Sequence, residues 1–393
     1  MSNHVILSAV RTPIGAFQGD LAAIPAPRLG AIAIKGALSQ AGVNAADVTD
    51  CLMGNVLQAG QGQAPARQAS IHAGLPHATR TVTIHKVCGS GLQAIIGASY
   101  LLWAGEGSLC VAGGMESMSQ VPYLLPKARD GYRLGHQQVI DSVITDGLWD
   151  PYNNLHMGSC AENCAAKYSF TREQQDAYAI ESYRRANQAQ KEGRFVAEIA
   201  PVDVAGTKGN SIKIGHDEGP AKVKYDKIPL LKPAFQKNGT ITPANASSLN
   251  DGAAAIVMTT AALAERKGLC PVARIVSFGN HAQDPIWFTT APVQAAHQAL
   301  AKAGWSVDDV DLWEVNEAFA VVPLAFMQEL GVKHDRLNVW GGAIALGHPI
   351  GASGARIVIT LINALRDRGL RRGVAAICIG GGEGLAVCIE LIG

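Results

Sequence analysis

An internal repeat constrains the fold of this 393-residue chain more than any other feature of its sequence. Three pairs of segments match in the same order, roughly 260 residues apart: ALSQAGVNAADV (37–48) with ALAKAGWSVDDV (299–310), VCGSGLQAI (87–95) with IGASGARIV (350–358), and LCVAGG (109–114) with ICIGGG (377–382). Self-similarity of this kind indicates repeated structural units. It predicts two copies of one α/β unit, packed as pseudo-twofold halves.

Each copy carries the local pattern of helices that alternate with buried strands. The helical patterns before Gly42 and Gly304 both end at a glycine suited to the left-handed position that follows a helix. The continuous apolar runs 374–379 and 385–392 are typical of strands buried on both faces. Helices alternating with such strands predict a layered α/β architecture.

A region of different character separates the two copies. It is richer in charge and turn residues, and its one clear helix begins at a capping box of Thr171 and Gln174 and ends at Gly193. An inserted segment over one face of the core is a natural place for a loop that holds a ligand. The predicted units are an N-terminal half (1–119 and 249–270), an inserted loop domain (120–248) and a C-terminal half (271–393).

Composition and charge exclude several classes of protein. The formal net charge is +1, and 17% of residues are charged against 48% hydrophobic. Disordered chains need fewer apolar residues and broad polyanion binders need an excess of basic ones, so we expect no nucleic-acid partner. The start of the chain has no signal-peptide pattern, and no run of about 18 apolar residues could span a membrane. We therefore expect a cytoplasmic protein without a membrane partner.

The eight cysteines do not form a disulfide framework or a zinc site. They are scattered along the chain without a CxxC pair or Cys/His spacing of the zinc type. We expect free thiols and no bound metal.

Cys88 lies in HKVCGSGLQAI, immediately before a helical pattern. The positive end of a helix dipole favours the thiolate form of a cysteine, which is the nucleophile. Gly89 and Gly91 allow close approach of other groups and leave backbone N–H groups free to bind an oxyanion. The pattern predicts a nucleophile at Cys88, with a buried and inert cysteine as the alternative.

His348 occupies the equivalent place in the second copy, within GGAIALGHPIGASGARI. Pseudo-twofold packing would bring this loop towards the Cys88 loop, and a nearby histidine is the usual activator of a thiol. A lone histidine is more often a satisfied core or surface residue. The glycines fit neither GxxxxGK[ST] nor GxGxxG, which excludes the common nucleotide-binding folds.

Two further segments carry residues that could take part in catalysis. Cys378 ends a predicted strand and runs into GGGEG, where a second thiol could exchange a proton with a substrate carbon near the N–H of Gly380. Asn316, in NEAFA, could fix a water molecule, and its neighbour Glu317 is notable in an apolar setting. The alternatives are a core cysteine before a tight turn and residues that only cap or turn the chain.

Together these motifs resemble the thiolase family. The segments VCGSG, NEAF, GHPIGASGARI and CIGGGEG match it in order and spacing, as do GGMESMS, HMGSCAEN and ANASSLNDGA. The resemblance covers essentially the whole chain and is greatest to the acetyl-CoA C-acetyltransferase branch. It implies a duplicated α-β-α-β-α layered fold with an inserted, CoA-binding loop domain. The implied reaction is Claisen condensation of two acetyl-CoA molecules to acetoacetyl-CoA and CoA, and the reverse thiolysis.

The resemblance also implies a role for each candidate residue. Cys88 would take the acetyl group as a thioester, giving ping-pong kinetics, and His348 would be the base that activates it. Cys378 would remove a proton from the methyl group of the second acetyl-CoA. Asn316 would hold a water that, with His348, binds the enolate oxygen. The N–H groups of Cys88 and Gly380 would form the other oxyanion hole.

For CoA, the resemblance implies that Ser247 lies near the pantetheine arm. The residues implied to line its tunnel are Leu148, His156, Met157, Phe235, Ala318 and Phe319. Where some members of the family have an arginine near the adenine, this chain has Pro220, and Lys222, Lys224 or Lys227 would meet the phosphates instead. Phe288 replaces a methionine near the acyl pocket, and Glu383 is unusual for the branch.

The expected partners are acetyl-CoA, acetoacetyl-CoA and CoA, with no cofactor beyond the substrate CoA. The chain is expected to form a homo-oligomer, either a dimer or a tetramer.

Three alternative functions stay open. One is a 3-ketoacyl-CoA thiolase of broader range. A decarboxylating β-ketoacyl synthase-like condenser is disfavoured by the second thiol, Cys378. A non-catalytic carrier on the same fold would be expected to lack some of the four catalytic side chains.

Overall fold

The computed structural model describes residues 4–206 and 210–392. Its strands are β1 (His4–Arg11), β2 (Gly15–Ala16), β3 (Asp50–Gly54), β4 (Arg80–Ile84), β5 (Leu109–Ser117), β6 (Tyr123–Leu124), β7 (Ile140–Asp141), β8 (Trp149–Asp150), β9 (Leu155–His156), β10 (Val202–Ala205), β11 (Ser211–Ile214), β12 (Asn250–Thr260), β13 (Ala273–Ala282), β14 (Leu312–Val315), β15 (Arg372–Ile379) and β16 (Glu383–Leu391). Its α-helices are α1 (Ala26–Ala41), α2 (Pro65–Ala73), α3 (Ser90–Trp103), α4 (Met157–Tyr168), α5 (Arg172–Lys191), α6 (Ala261–Lys267), α7 (Ala291–Ala303), α8 (Val321–Leu330), α9 (Ala343–Leu346) and α10 (Ile350–Asp367).

Ten of the strands in these ranges form one mixed sheet, whose order contains the same pattern twice. From its centre outward the N-terminal half runs β1–β12–β5–β3, and the C-terminal half runs β13–β16–β15–β14. In each half the first two pairings are antiparallel and the third is parallel. The halves join where β1 pairs with β13 at Val5 and Ile6. This mirrored order confirms the predicted duplicated α/β fold.

Helices form layers on both faces of the strands. Helices α3 and α10 pack against each other, α3 on β3 and β5 and α10 on strands of both halves. Residues 350–365 of α10 are all buried, and the polar side chains among them, Ser353, Arg356, Thr360 and Asn363, each have a hydrogen-bond partner. Helices α1 and α2 cover the other face of the N-terminal half, and α7 covers the other face of the C-terminal half.

The Ser-Gly dipeptide shared by the two repeats lies where α3 and α10 begin. A Cβ atom at Gly91 would lie 2.8 Å from the backbone nitrogen of Ala355, and one at Gly354 would lie 2.5 Å from the backbone nitrogen of Leu92. Only glycine permits so close an approach. The loops that precede the two helices, which carry Cys88 and His348, are therefore brought together.

Local helix signals are also confirmed. Gly42 and Gly304 follow α1 and α7 with φ of 64° and 69°, and their N–H groups bond to carbonyls of the last helical turn. Thr171 and Gln174 form the capping box at the start of α5.

The segment between β5 and β12 contains three short hairpins, β6–β7, β8–β9 and β10–β11, and the helices α4 and α5. The unit boundaries given above stay a prediction.

Across the two described ranges, none of the helices is both long and apolar enough to cross a membrane. Each of the eight cysteines is a free thiol.

Candidate active site

A cavity of about 350 Å³ lies where the two repeated loops meet the inserted segment. Nine of the predicted site residues plus the oxyanion glycine line it: Cys88, Leu148, His156, Met157, Phe235, Ser247, Ala318, Phe319, His348 and Gly380. Phe288 also lines the cavity. Its further lining includes apolar residues that the sequence patterns did not identify, namely Val87, Met118, Val143, Leu249 and Ile350.

The Cys88 loop is a tight turn between β4 and α3. Val87 has a φ of 44°, which is a strained conformation for a β-branched residue. A Cβ atom at Gly89 would lie 2.4 Å from the end of the Ile379 side chain, so the loop packs closely on β15. The backbone N–H groups of Gly380 and of Cys88 itself lie near the Cys88 sulfur, where they favour its ionised form.

The resting form of Cys88 is the thiol, which corrects the expectation of a helix-favoured thiolate. Removal of its sulfur from water raises the pKa of Cys88 to about 11, and the charge of the buried Glu116 adds to the rise, although the two backbone N–H groups oppose it. Desolvation of the charged form therefore outweighs the local dipole.

His348 is held as a neutral base. Its Nδ1 lies 2.5 Å from Ser353 Oγ, and its backbone N–H donates to Asn250 Oδ1 at 2.9 Å. Burial, and secondly the charge of Arg356, lower the pKa of His348 to about 3. The imidazole can thus accept a proton at neutral pH.

Asn316 and Cys378 lie behind the cavity wall and do not line it. Asn316 Nδ2 is 3.5 Å from His348 Nε2, so these two residues are adjacent. Burial raises the pKa of the Cys378 thiol well above its usual value, and Cys88 lies near enough to raise it further when its own sulfur is ionised. Cys378, at the end of β15, is completely buried.

The glycine run after Cys378 forms a tight connection to β16. Gly381 and Gly382 have φ of 93° and 85°, a conformation that favours glycine. A Cβ atom at Gly382 would lie 2.3 Å from the carbonyl oxygen of Gln283. The run therefore brings the Gly380 N–H to Cys88 without steric conflict.

Aromatic side chains form one wall of the cavity. His156 stacks on Phe235 with ring centroids 4.8 Å apart, and Phe319 makes edge contacts with both Phe235 and Phe288. Ser247 Oγ donates to the carbonyl oxygen of Ala318 at 3.0 Å. That the predicted lining residues bind CoA stays a prediction.

The three lysines proposed for the CoA phosphates line a separate groove of about 240 Å³ with Pro243 and Ala244. Lys222 forms an ion pair with Glu218, whereas Pro220 is buried.

Three residues that position the site were not identified from the sequence: Ser353, Arg356 and Glu116. Arg356 bonds Glu314 at 2.6 Å and lies 3.5 Å from Asn316 Oδ1. Glu116 accepts hydrogen bonds from the N–H groups of Val56, Leu57 and Gly351, and so joins the two halves. The signals were present, because Ser353 is the repeat counterpart of Ser90 and Glu116 lies within GGMESMS.

Glu317 does not line the cavity, and its hydrogen bonds give it a structural role. It is fully buried and accepts hydrogen bonds from Tyr178, Ser182 and Asn338 at 2.7–2.8 Å. It thereby fastens α5 to the C-terminal half. Within residues 4–206 and 210–392, His, Cys, Asp and Glu form no group of three that could hold a metal ion.

Comparison with known proteins agrees with the fold and the motifs. Residues 4–262 match the family model described as "Thiolase, N-terminal domain", and residues 269–391 match "Thiolase, C-terminal domain". An acetyl-CoA acetyltransferase from Cupriavidus necator is 50% identical over 391 residues, which is 99% of this chain and 100% of that protein.

Solved structures show the same similarity. The acetyl-CoA acetyltransferase of Bacillus anthracis superimposes with a TM-score of 0.97 at 40% identity, over 100% of this chain and 99% of that one. A thiolase from Ascaris suum in complex with coenzyme A gives a TM-score of 0.94 at 44% identity, over 99% of this chain and 100% of that one. The predicted fold class and the assignment as an acyltransferase enzyme are confirmed. The chain belongs to the thiolase family.

Proposed function

We propose that this protein is an acetyl-CoA C-acetyltransferase that condenses two acetyl-CoA molecules to acetoacetyl-CoA and CoA, and that runs the reverse thiolysis. The observation that carries the proposal is that Cys88, His348 and the Gly380 N–H share one cavity. Relatives such as the Cupriavidus necator protein are named for this activity, and the Ascaris suum thiolase binds coenzyme A.

In the first half-reaction the Cys88 sulfur attacks the thioester carbonyl carbon of acetyl-CoA, and its proton passes to His348 Nε2. The carbonyl oxygen becomes an oxyanion that the N–H groups of Cys88 and Gly380 stabilise. The carbon–sulfur bond to CoA then breaks, the CoA sulfur takes a proton from Cys378, and acetyl-Cys88 remains. Because both resting thiols are protonated, proton transfer must accompany bond formation.

In the second half-reaction the Cys378 thiolate removes a proton from the methyl group of a second acetyl-CoA. Burial raises the pKa of Cys378, so its thiolate is a strong base. Protonated His348 and a water on Asn316 bind the enolate oxygen. The enolate carbon attacks the acetyl group, acetoacetyl-CoA leaves, and Cys88 regains its proton from His348. The steps require no metal or redox cofactor.

The shape of the cavity favours a short acyl group over the broader 3-ketoacyl alternative. Phe288 and Phe319 pack edge to face at 6.3 Å, and both line the cavity beside Cys88 and His348. One methylene in an apolar pocket is worth roughly 1–3 kcal/mol in discrimination. A series of 3-ketoacyl-CoA substrates of increasing length should therefore lose kcat/KM stepwise, and an equal rate with the C10 compound would support the broader enzyme.

We also infer a homo-oligomer. Strand β4 is an edge of the main sheet, its Val82 is 51% exposed, and Trp103 at the end of α3 is 78% exposed. An open strand edge beside exposed apolar side chains favours association with another chain. Light scattering during size-exclusion chromatography should give a mass of two or four chains, and a monomer would contradict this.

Mass spectrometry after mixing with acetyl-CoA tests the main proposal. One acetyl group is expected on Cys88, and free CoA should cleave acetoacetyl-CoA to acetyl-CoA. Cys88→Ala should abolish both, whereas Cys270→Ala, which removes an exposed thiol, should leave both unchanged. An unmodified wild-type protein would favour a carrier, and acetylation without thiolysis would favour another condensing enzyme.

A further inference from the structure

The two loops that carry Cys88 and Gly380 are joined by an ion pair. Lys86 Nζ lies 2.7 Å from Glu383 Oε2, across 297 residues of sequence. The side chains are 18% and 34% exposed, so water screens the pair only in part. Glu383 is the charged residue in the glycine loop GGGEG, and Lys86 is its partner.

The backbone of Lys86 forms part of the strained turn that carries Cys88. Its N–H donates to Ser90 Oγ at 2.8 Å and its carbonyl accepts from the N–H of Gly89 at 3.0 Å. The next residue, Val87, has a φ of 44°, and such a conformation persists only where the surroundings hold it in place. Cys88 follows directly, so the placement of Lys86 bears on the placement of the sulfur.

Glu383 is fixed in the same way to the opposite loop. It is the first residue of β16 and pairs with Ile379 of β15 and Ala282 of β13. Between Ile379 and Glu383 lie only three glycines, and the first, Gly380, lines the cavity with Cys88 and has its N–H near the Cys88 sulfur. Glycine has the greatest backbone freedom of all residues, so the conformation of this loop depends on the contacts made at its ends.

We propose that Lys86 and Glu383 form a positioning pair, which holds the Cys88 sulfur of the N-terminal half in register with the Gly380 N–H of the C-terminal half. This inference rests on the proposed acyl transfer through Cys88. Neither side chain lines the cavity, so the pair acts on the acetylation step and not on the binding of CoA. A misplacement of about 1 Å between reacting groups can cost up to about 100-fold in rate.

Single-turnover acetylation of Cys88 by acetyl-CoA, followed by rapid quench and mass spectrometry, tests the pair in the full-length protein. Lys86→Met and Glu383→Gln should each slow acetylation by about 10-fold, with KM for acetyl-CoA changed by less than about twofold. Lys86→Arg retains the pair and should keep the wild-type rate. The double variant Lys86→Glu with Glu383→Lys should recover the rate to within about threefold of wild type.

A second ion pair provides a matched control. Arg194 Nη1 lies 2.8 Å from Asp367 Oδ2, and these side chains are 33% and 40% exposed, but they are remote from the cavity. Asp367→Asn should leave the acetylation rate unchanged, while thermal melts show whether each variant is folded. A general loss of stability would affect this control as well.

The outcomes distinguish failure of the positioning role from failure of the proposed function on which it rests. If the wild type never acetylates Cys88, the proposed function fails. If the wild type acetylates Cys88 and the folded single variants do so at an equal rate, the positioning role is wrong while the function stands. Slow single variants that the charge exchange does not rescue would also overturn the pair.

Discussion

Ser353 Oγ lies 2.5 Å from His348 Nδ1 and donates its own hydrogen to the carbonyl oxygen of Pro349 at 2.9 Å. With the hydroxyl hydrogen on Pro349, the serine oxygen is free to accept from the imidazole, an assignment that favours the neutral ring with its proton on Nδ1. This leaves the lone pair on Nε2, the atom that faces Asn316. A serine one turn into α10 thus selects the tautomer in which His348 can act as a base.

Replacement of this serine tests the tautomer. Ser353→Ala leaves a buried Nδ1–H without its acceptor, which should lower the free energy of unfolding by about 1–3 kcal/mol. The rate of Cys88 acetylation should fall about 10-fold because the ring is no longer held for proton transfer. Ser99→Ala, in which a buried serine that bonds only within α3 is removed, is the matched control. Equal acetylation rates in the two variants would show that Ser353 does not orient the base.

Substitution of Cys378 should distinguish its role in condensation from the role of Cys88 in acetylation. Cys378→Ala should still form acetyl-Cys88, because CoA can leave as a thiolate without a proton from Cys378. The variant should lose condensation by at least about 100-fold, because no base is left for the methyl proton. Cys388→Ala removes another buried cysteine, from the neighbouring strand β16, and should condense normally. The measurements are acetylation by mass spectrometry and acetoacetyl-CoA formation by absorbance. A Cys378→Ala variant that condenses at the wild-type rate would show that the base is another group.

The pH dependence should lack the inflection of an ordinary histidine. Burial lowers the pKa of His348 to about 3 and raises that of Cys88 to about 11, so neither of these two groups should give an inflection in kcat/KM between about pH 5 and about pH 9. A base with the usual pKa of about 6.5 would lose activity tenfold per unit below that pH.

The same shift of the His348 pKa has a consequence for stability. The unfolded histidine binds a proton below about pH 6.5 and the folded one does not, so this group makes the protein less stable as the pH falls from 6.5 towards 3. Circular dichroism at each pH will separate unfolding from loss of the base.

The crossing of the two central helices should not tolerate a methyl group. In Gly354→Ala the new Cβ would lie 2.5 Å from the backbone nitrogen of Leu92, which cannot move without shifting α3. We expect a loss of about 1–3 kcal/mol or more in urea unfolding. Gly97→Ala is the control, since its Cβ would meet only the ends of two flexible side chains, Leu52 at 3.0 Å and Ile84 at 3.9 Å, and alanine favours a helix. Similar stability of the two variants would contradict the proposed packing.

Motifs of local origin were predicted from the sequence. The repeat indicated the duplicated sheet, because similar segments fold into similar units, and the strand order β1–β12–β5–β3 recurs as β13–β16–β15–β14. Helix ends at Gly42 and Gly304 and the cap at Thr171 depend on a few adjacent residues and were also correct.

The sequence by itself determined that the Cys88 and His348 loops are equivalent parts of two repeated units, since this follows from their own residues. Only the tertiary structure decided their protonation states, because exclusion of water depends on every segment that packs around the cavity. The favourable helix position of Cys88 was visible in the sequence, but the desolvation that outweighs it was not. The partner of Glu383 was hidden for the same reason, since Lys86 is distant along the chain and adjacent only in the folded protein.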